Sequence, residues 1–113
     1  MIDKYILNAK TKRARIEPDL MKWAEWMETA DRTVSKTTID NILVSTIFLG
    51  LDHNFQGAGR PPILYETMVF VDGKDDNDIS ELQQRWLTWG QAKRGHEDIV
   101  EMIKKLQVSK NKI

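Results

Sequence analysis

Apolar residues cluster at two different periods along this chain, and the change of period separates strands from helices. Residues 42–51 and 63–71 are apolar runs of strand length bounded by glycine, proline, asparagine and aspartate, which is a β pattern. Ahead of the first run, residues 33–39 are rich in β-branched side chains and end at Asp40 and Asn41, a pair suited to a tight turn, so a hairpin is expected there. Its second strand is apolar at nearly every position and is expected to be central, with both faces covered. The first, with its hydroxyls and Lys36, is expected at an edge. In the strand over 63–71, Leu64, Glu66, Met68 and Phe70 share one face, which places the Glu66 carboxylate among apolar neighbours. Residues 84–87 offer a fourth strand, and 72–78 read as an acidic exposed loop.

Two segments carry the helical period. Pro18 suits a first helical turn and Asp19 favours the positive end of the helix dipole, so a helix is expected over 18–30. Leu20, Trp23, Ala24 and Met27 form its apolar face, with Trp26 off the centre and aimed at a neighbouring strand or subunit. The second helix opens on a capping box, Thr88 and Gln91, and presents Ala92, His96, Ile99, Val100 and Ile103 on one face, with Leu106 near its end. Gly95 lies inside it at a cost of about 1 kcal/mol relative to alanine, which suggests a backbone brought close to a sheet. Residues 108–113 read as a fraying, lysine-rich tail, and 1–16, with the basic cluster Lys10, Lys12, Arg13 and Arg15, as an edge strand or arm. The pattern as a whole predicts one α+β domain, a small antiparallel sheet of three to five strands packed with two helices.

Composition narrows the partners. A chain of 113 residues buries roughly two-thirds of its unfolded surface and folds without staples. It contains no cysteine, which excludes disulfides and thiolate metal sites. Seventeen basic residues balance seventeen acidic ones, arguing against general nucleic-acid binding. The opening residues lack the order of a signal peptide, and no apolar run approaches the roughly 20 residues of a membrane span. A soluble, cytoplasmic protein with no membrane partner is expected. Four tryptophans in two i, i+3 pairs, Trp23 with Trp26 and Trp86 with Trp89, together with the apolar strands, point to core packing and a homo-oligomer.

Candidate chemistry gathers in the insert 52–62, where strands at both ends would hold Asp52, His53, Asn54, Phe55 and Arg60. Asp52 and His53 read either as a metal pair or acid-oriented base, or as a loop cap and a backbone-bonded imidazole. Because adjacent residues on an extended chain point apart, the second reading is favoured. His53, His96 and Glu66 would approach a two-histidine, one-carboxylate metal set. A helix face otherwise made of Ala, Ile and Val instead favours His96 as a satisfied core residue. Gly57, Ala58, Gly59 and Arg60 do not make a phosphate loop, because Pro61 and Pro62 lead into a strand rather than a helix. What remains is a loop in which Arg60 can hold an anionic group, Phe55 can stack on a planar ring, and His53 and Asn54 can supply directed hydrogen bonds. No metal, cofactor or catalytic residue is assigned.

Three motifs occur in order: residues 44–55 (VSTIFLGLDHNF), 61–70 (PPILYETMVF) and 88–96 (TWGQAKRGH). With them the chain resembles a family of small proteins encoded by tailed bacteriophages and prophages, over about residues 18–103. The family brings no established catalytic residue. Its members tend to have a shorter, glycine-containing link after the third strand and a tyrosine near Trp86, so this chain departs from them at 72–78 and at that position. The resemblance implies an accessory protein that counters host defence or modulates a host protein, acting in the host cytoplasm. Joined to the loop chemistry, the leading expectation is a non-enzymatic protein that binds a small, nucleotide-like ligand and sequesters a host signal. A protein-interaction module that inhibits a host protein is the alternative, and a metal-dependent hydrolase using Asp52, His53, Glu66 and His96 the third.

Overall fold

The computed structural model describes residues 2–54, 59–72 and 82–111, with side chains through Ser109. Its elements run β1 (Tyr5–Leu7), β2 (Ala14–Ile16), α1 (Leu20–Thr29), β3 (Thr33–Ile39), β4 (Ile42–Phe48), β5 (Tyr65–Val71), β6 (Gln83–Trp86) and α2 (Trp89–Asn111). Among the described residues they form two antiparallel sheets, a four-stranded one in the order β3-β4-β5-β6 and the two-stranded hairpin β1-β2. The fold is α+β, with β4 central and β3 at an edge. The segment 1–16 is thus a hairpin rather than an arm. The Asn8 side chain accepts from the amides of Lys10 and Thr11 at 2.8 and 2.9 Å, and Lys12 takes a left-handed conformation at φ 60°.

The β3-β4 hairpin closes with Ile39 opposite Ile42, so Asp40 and Asn41 alone make the turn, and Asp40 adopts φ 53°. Aspartate tolerates that conformation better than most side chains do. Register then fixes which residues share a face, because cross-strand partners point the same way. Inward lie Thr37, Val44, Val69 and, one step along, Ser35, Thr46, Thr67 and Gln84. Outward lie Thr38, Leu43 and Phe70, then Lys36, Ser45, Met68 and Gln83, then Thr33, Ile47, Glu66 and Arg85.

Helix α2 packs across the inner face against β3, β4, β5 and β6. One part of the core gathers Ile42, Val44, Val69, Val100 and Ile103, the other Leu7, Val34, Phe48, Leu64, Tyr65 and Ala92. Burial holds the Tyr65 hydroxyl neutral, its pKa pushed up to about 12. Rings carry the second cluster from one element to the next: Trp26 meets Phe48 edge-on at 5.7 Å, Phe48 meets Tyr65 at 5.4 Å, and Tyr65 meets Trp89 at 6.4 Å.

Three expectations change. Helix α1 begins at Leu20 with Asp19 as its cap, accepting from Met21 and Lys22, and it buries no residue completely. Leu20 and Ala24 are exposed, while Trp23, Trp26 and Met27 turn toward the protein. Strand β4 is buried only on its inner face; Leu43, Ser45 and Ile47 are half-buried. Finally, α2 remains helical to Asn111, where a fraying tail was expected from Val108. At 1.5 Å per residue it is roughly 34 Å long, against roughly 24 Å for a seven-residue strand, so its end overhangs the sheet. Met102, Leu106 and Val108 are exposed.

Candidate functional site

The insert 52–62 leaves the sheet through a turn that only glycine suits. Gly50 has φ 79°, and a side-chain carbon there would sit 2.6 Å from the sulfur of Met27. The Gly50 carbonyl accepts from the Tyr5 amide at 2.9 Å and from Trp23 Nε1 at 3.0 Å, which ties β1 and α1 to the base of the loop. Asp52 N donates to the Asp3 carbonyl at 3.1 Å, and His53 N donates to the Ile63 carbonyl at 2.9 Å, drawing the two ends of the loop together.

The polar side chains then secure the loop to itself. Asp52 Oδ1 accepts from Asn54 N at 2.8 Å and from Ile63 N at 3.0 Å, so one carboxylate oxygen joins both stems. His53 Nδ1 donates to the Leu51 carbonyl at 2.8 Å, which assigns its proton to that nitrogen. Asn54 Nδ2 reaches across to the Pro61 carbonyl at 2.8 Å. Asp52 therefore caps the loop and His53 bonds to backbone. Arg60 is exposed beside Gly59, whose φ is 88°. Phe55, with Gln56, Gly57 and Ala58, lies outside the described residues, as does most of the acidic segment 72–78.

If Asp52 is the clamp, Asp52→Ala should cost about 2 kcal/mol, since bonds to a charged acceptor contribute more than neutral ones. The Ile63 and Asn54 amides should lose their protection against hydrogen exchange before the rest of the sheet does. Unchanged protection at Ile63 would show that the backbone closes the loop unaided.

His96 lies in the core. It is 1% exposed, and both ring nitrogens meet hydroxyls: Nδ1 meets Thr46 Oγ1 at 2.7 Å and Nε2 meets Thr37 Oγ1 at 2.8 Å. Thr46 continues to Thr67 Oγ1 at 2.5 Å, and Thr67 accepts from Trp86 Nε1 at 3.0 Å. This chain crosses β3, β4, β5, β6 and α2 and satisfies every member. Burial pushes the His96 pKa below its ordinary value, a fall that nearby Glu97 opposes and Lys93 aids.

Glu66 belongs to the opposite face. Its Oε2 accepts from Arg85 Nε at 2.9 Å and from Gln83 Nε2, so polar partners from β6 surround the carboxylate rather than apolar ones. The alternation of β5 turns Glu66 away from Thr67 and therefore away from His96. Asp52, His53, Glu66 and His96 are thus not brought together, and among the described residues no group of three or more His, Asp and Glu could hold a metal ion. The hydroxyls of Thr37, Thr46 and Thr67 were not singled out from the sequence. Their signal was present: Thr46 and Thr67 each interrupt an apolar run at an inward position.

The chain matches no family model, no curated protein and no solved structure. No helix among the described residues is long and apolar enough to cross a membrane.

Proposed function

We propose that this chain is a non-enzymatic binding protein, of the phage accessory kind its motifs resemble, which presents loop 52–62 to a small anionic, nucleotide-like ligand and thereby withholds a host signal. The observation that carries this reading is the Asp52 clamp. By joining Asn54 N and Ile63 N on one oxygen it fixes both stems before any ligand arrives, and stems held in advance lose less entropy on binding. Arg60, exposed near the end of that loop, then offers a planar guanidinium to a phosphate or carboxylate. Acid–base chemistry is not favoured, because His96 is enclosed in the hydroxyl chain and Glu66 is engaged by Arg85 and Gln83.

Calorimetry with a panel of mononucleotides and inorganic phosphate tests the reading. Arg60→Ala should weaken binding at least tenfold, roughly the loss of one charge-assisted contact, while shifting stability by less than about 0.5 kcal/mol. Equal binding by both proteins would remove Arg60 from the site. Binding by neither would remove the ligand class.

A further inference from the structure

Four cations fall between positions 10 and 15 in the β1-β2 hairpin, Lys10, Lys12, Arg13 and Arg15, with no acid among them. The hairpin delivers them to a second basic element. Lys12, in its left-handed conformation, extends its ammonium over the Trp89 ring, 4.8 Å from the centroid. Trp89 opens α2, whose first turn holds no acidic residue, and Lys93 follows one helical turn later on the same side. Arg94 folds back along the helix, its Nη1 3.4 Å from the place a side-chain carbon on Gly90 would take. Lys10, Lys12, Arg13, Lys93 and Arg94 are all exposed. Asp31 feels the charge of Lys12, but the ion pairs among the described residues are Arg15 with Glu17 and Arg85 with Glu66, so none of these five cations is held in one.

Beyond Arg94 the surface dips. A groove of about 380 Å³ lies between β6 and α2, lined by Trp86, Gln91, Arg94, Gly95 and Asp98. Its volume is within the range of small-ligand pockets. Its walls combine an indole, a guanidinium, an amide and a carboxylate.

We propose that this strip, from the β1-β2 turn across the start of α2 to the Trp86 groove, binds a single-stranded nucleic acid. The cations hold successive phosphates and the groove takes one base, the pairing of basic track and aromatic wall that single strands require. Asp98 decides between a nucleic acid and an acidic peptide. A carboxylate in the groove repels a second carboxylate, yet it accepts a hydrogen bond from the exocyclic amino group of a base. A duplex keeps its bases stacked and offers none to the groove. Because the charges of the whole chain cancel, the attraction is local and the affinity modest. The strip shares no residue with loop 52–62, so titration of that loop with mononucleotides and Arg60→Ala succeeds or fails separately.

Fluorescence anisotropy of a labelled, mixed-sequence single strand of about twelve nucleotides reads the binding. At about 100 mM salt the wild-type chain should bind with a Kd between roughly 1 and 100 µM, and one phosphate per cation predicts a log–log salt slope of roughly −3.5. Lys93→Glu with Arg94→Glu should weaken binding at least about tenfold, and Lys10→Glu, on the hairpin instead of the helix, at least about threefold. Lys104→Glu with Lys105→Glu makes the same change of net charge about 16 Å farther along α2, beyond the Debye length of about 10 Å, and should leave binding within about twofold of wild type. No binding up to about 1 mM would overturn the proposal. Equal weakening by the two double variants would also overturn it, since net charge and not the strip would then be the cause. A duplex of the same sequence, or a polyglutamate peptide of the same length, bound as tightly as the single strand would overturn the choice of partner.

Discussion

Gly95→Ala is expected to destabilise the fold by about 1–3 kcal/mol, the usual cost of forcing a methyl group into a packed contact. Helix propensity alone predicts the reverse, a gain of about 1 kcal/mol. The packing term wins because Gly95 lies directly beneath the indole of Trp86, where a side-chain carbon would overlap the six-membered part of the ring, Cη2 and Cζ2 above all. Trp86 cannot step aside freely, since its Nε1 donates to Thr67. Denaturant titration measures the change. In a double-mutant cycle, Trp86→Phe should relieve part of the strain, so the two substitutions should cost less together than the sum of their separate effects. A Gly95→Ala chain more stable than wild type, or a strictly additive cycle, would show that helix and strand do not meet there.

That contact was legible in advance, and the reason is instructive. A glycine in the middle of a strongly periodic helix has no local purpose, so it signals something pressed against the backbone. The inner stripe of α2 was legible for a similar reason, because one helix lying across one sheet needs a single face and His96 falls on it. Helix α1 misled because it packs against the end of the sheet rather than across a face. Its neighbours are Gly50 and Phe48, and the residues that reach them are Trp23, Trp26 and Met27, while Leu20 and Ala24 remain in solvent. In β5 both faces carry apolar side chains, so alternation could not say which faced the helix. Threonines decide it, with Thr67 turned inward to Thr46 while Met68 and Phe70 face out. The β1-β2 hairpin was hidden by its charges. Its turn depends on the Asn8 side chain and a left-handed Lys12, and lysine gives no sequence cue for that conformation. In the loop, Asp52 was expected as a cap, and its bond to Asn54 N is local. Its second bond, to Ile63, needed the sheet to bring the far stem back.

Acid should destabilise this fold through His96 before its carboxylates matter. Burial holds the folded-state pKa of His96 below the usual value of about 6.5 that the unfolded chain keeps. Above about pH 6.5 the ring is neutral in both states and stability does not depend on it. Below that, the unfolded chain takes up a proton that the folded one resists, so stability falls by up to about 1.4 kcal/mol per pH unit until the folded-state pKa is reached. The groups facing the ring from the sheet are hydroxyls, Thr37 on β3 and Thr46 on β4, and neither supplies a negative charge to hold an imidazolium. Protonation also constrains the chain of bonds. With both nitrogens donating, Thr37 and Thr46 must each accept, and Thr46 must then donate to Thr67, whose oxygen already accepts from Trp86. Thr46→Val at neutral pH should cost about 1–3 kcal/mol, because it leaves the Nδ1 side of the ring without its partner inside the core. Denaturation curves for wild type and His96→Leu, compared from pH 8 to pH 5, isolate the titration, since His53 is present in both. The difference should be constant at the alkaline end and shrink below pH 6.5 as wild type alone loses stability. Parallel curves throughout would mean that His96 binds its proton equally well folded and unfolded, and that the hydroxyl chain tolerates a charge at its centre.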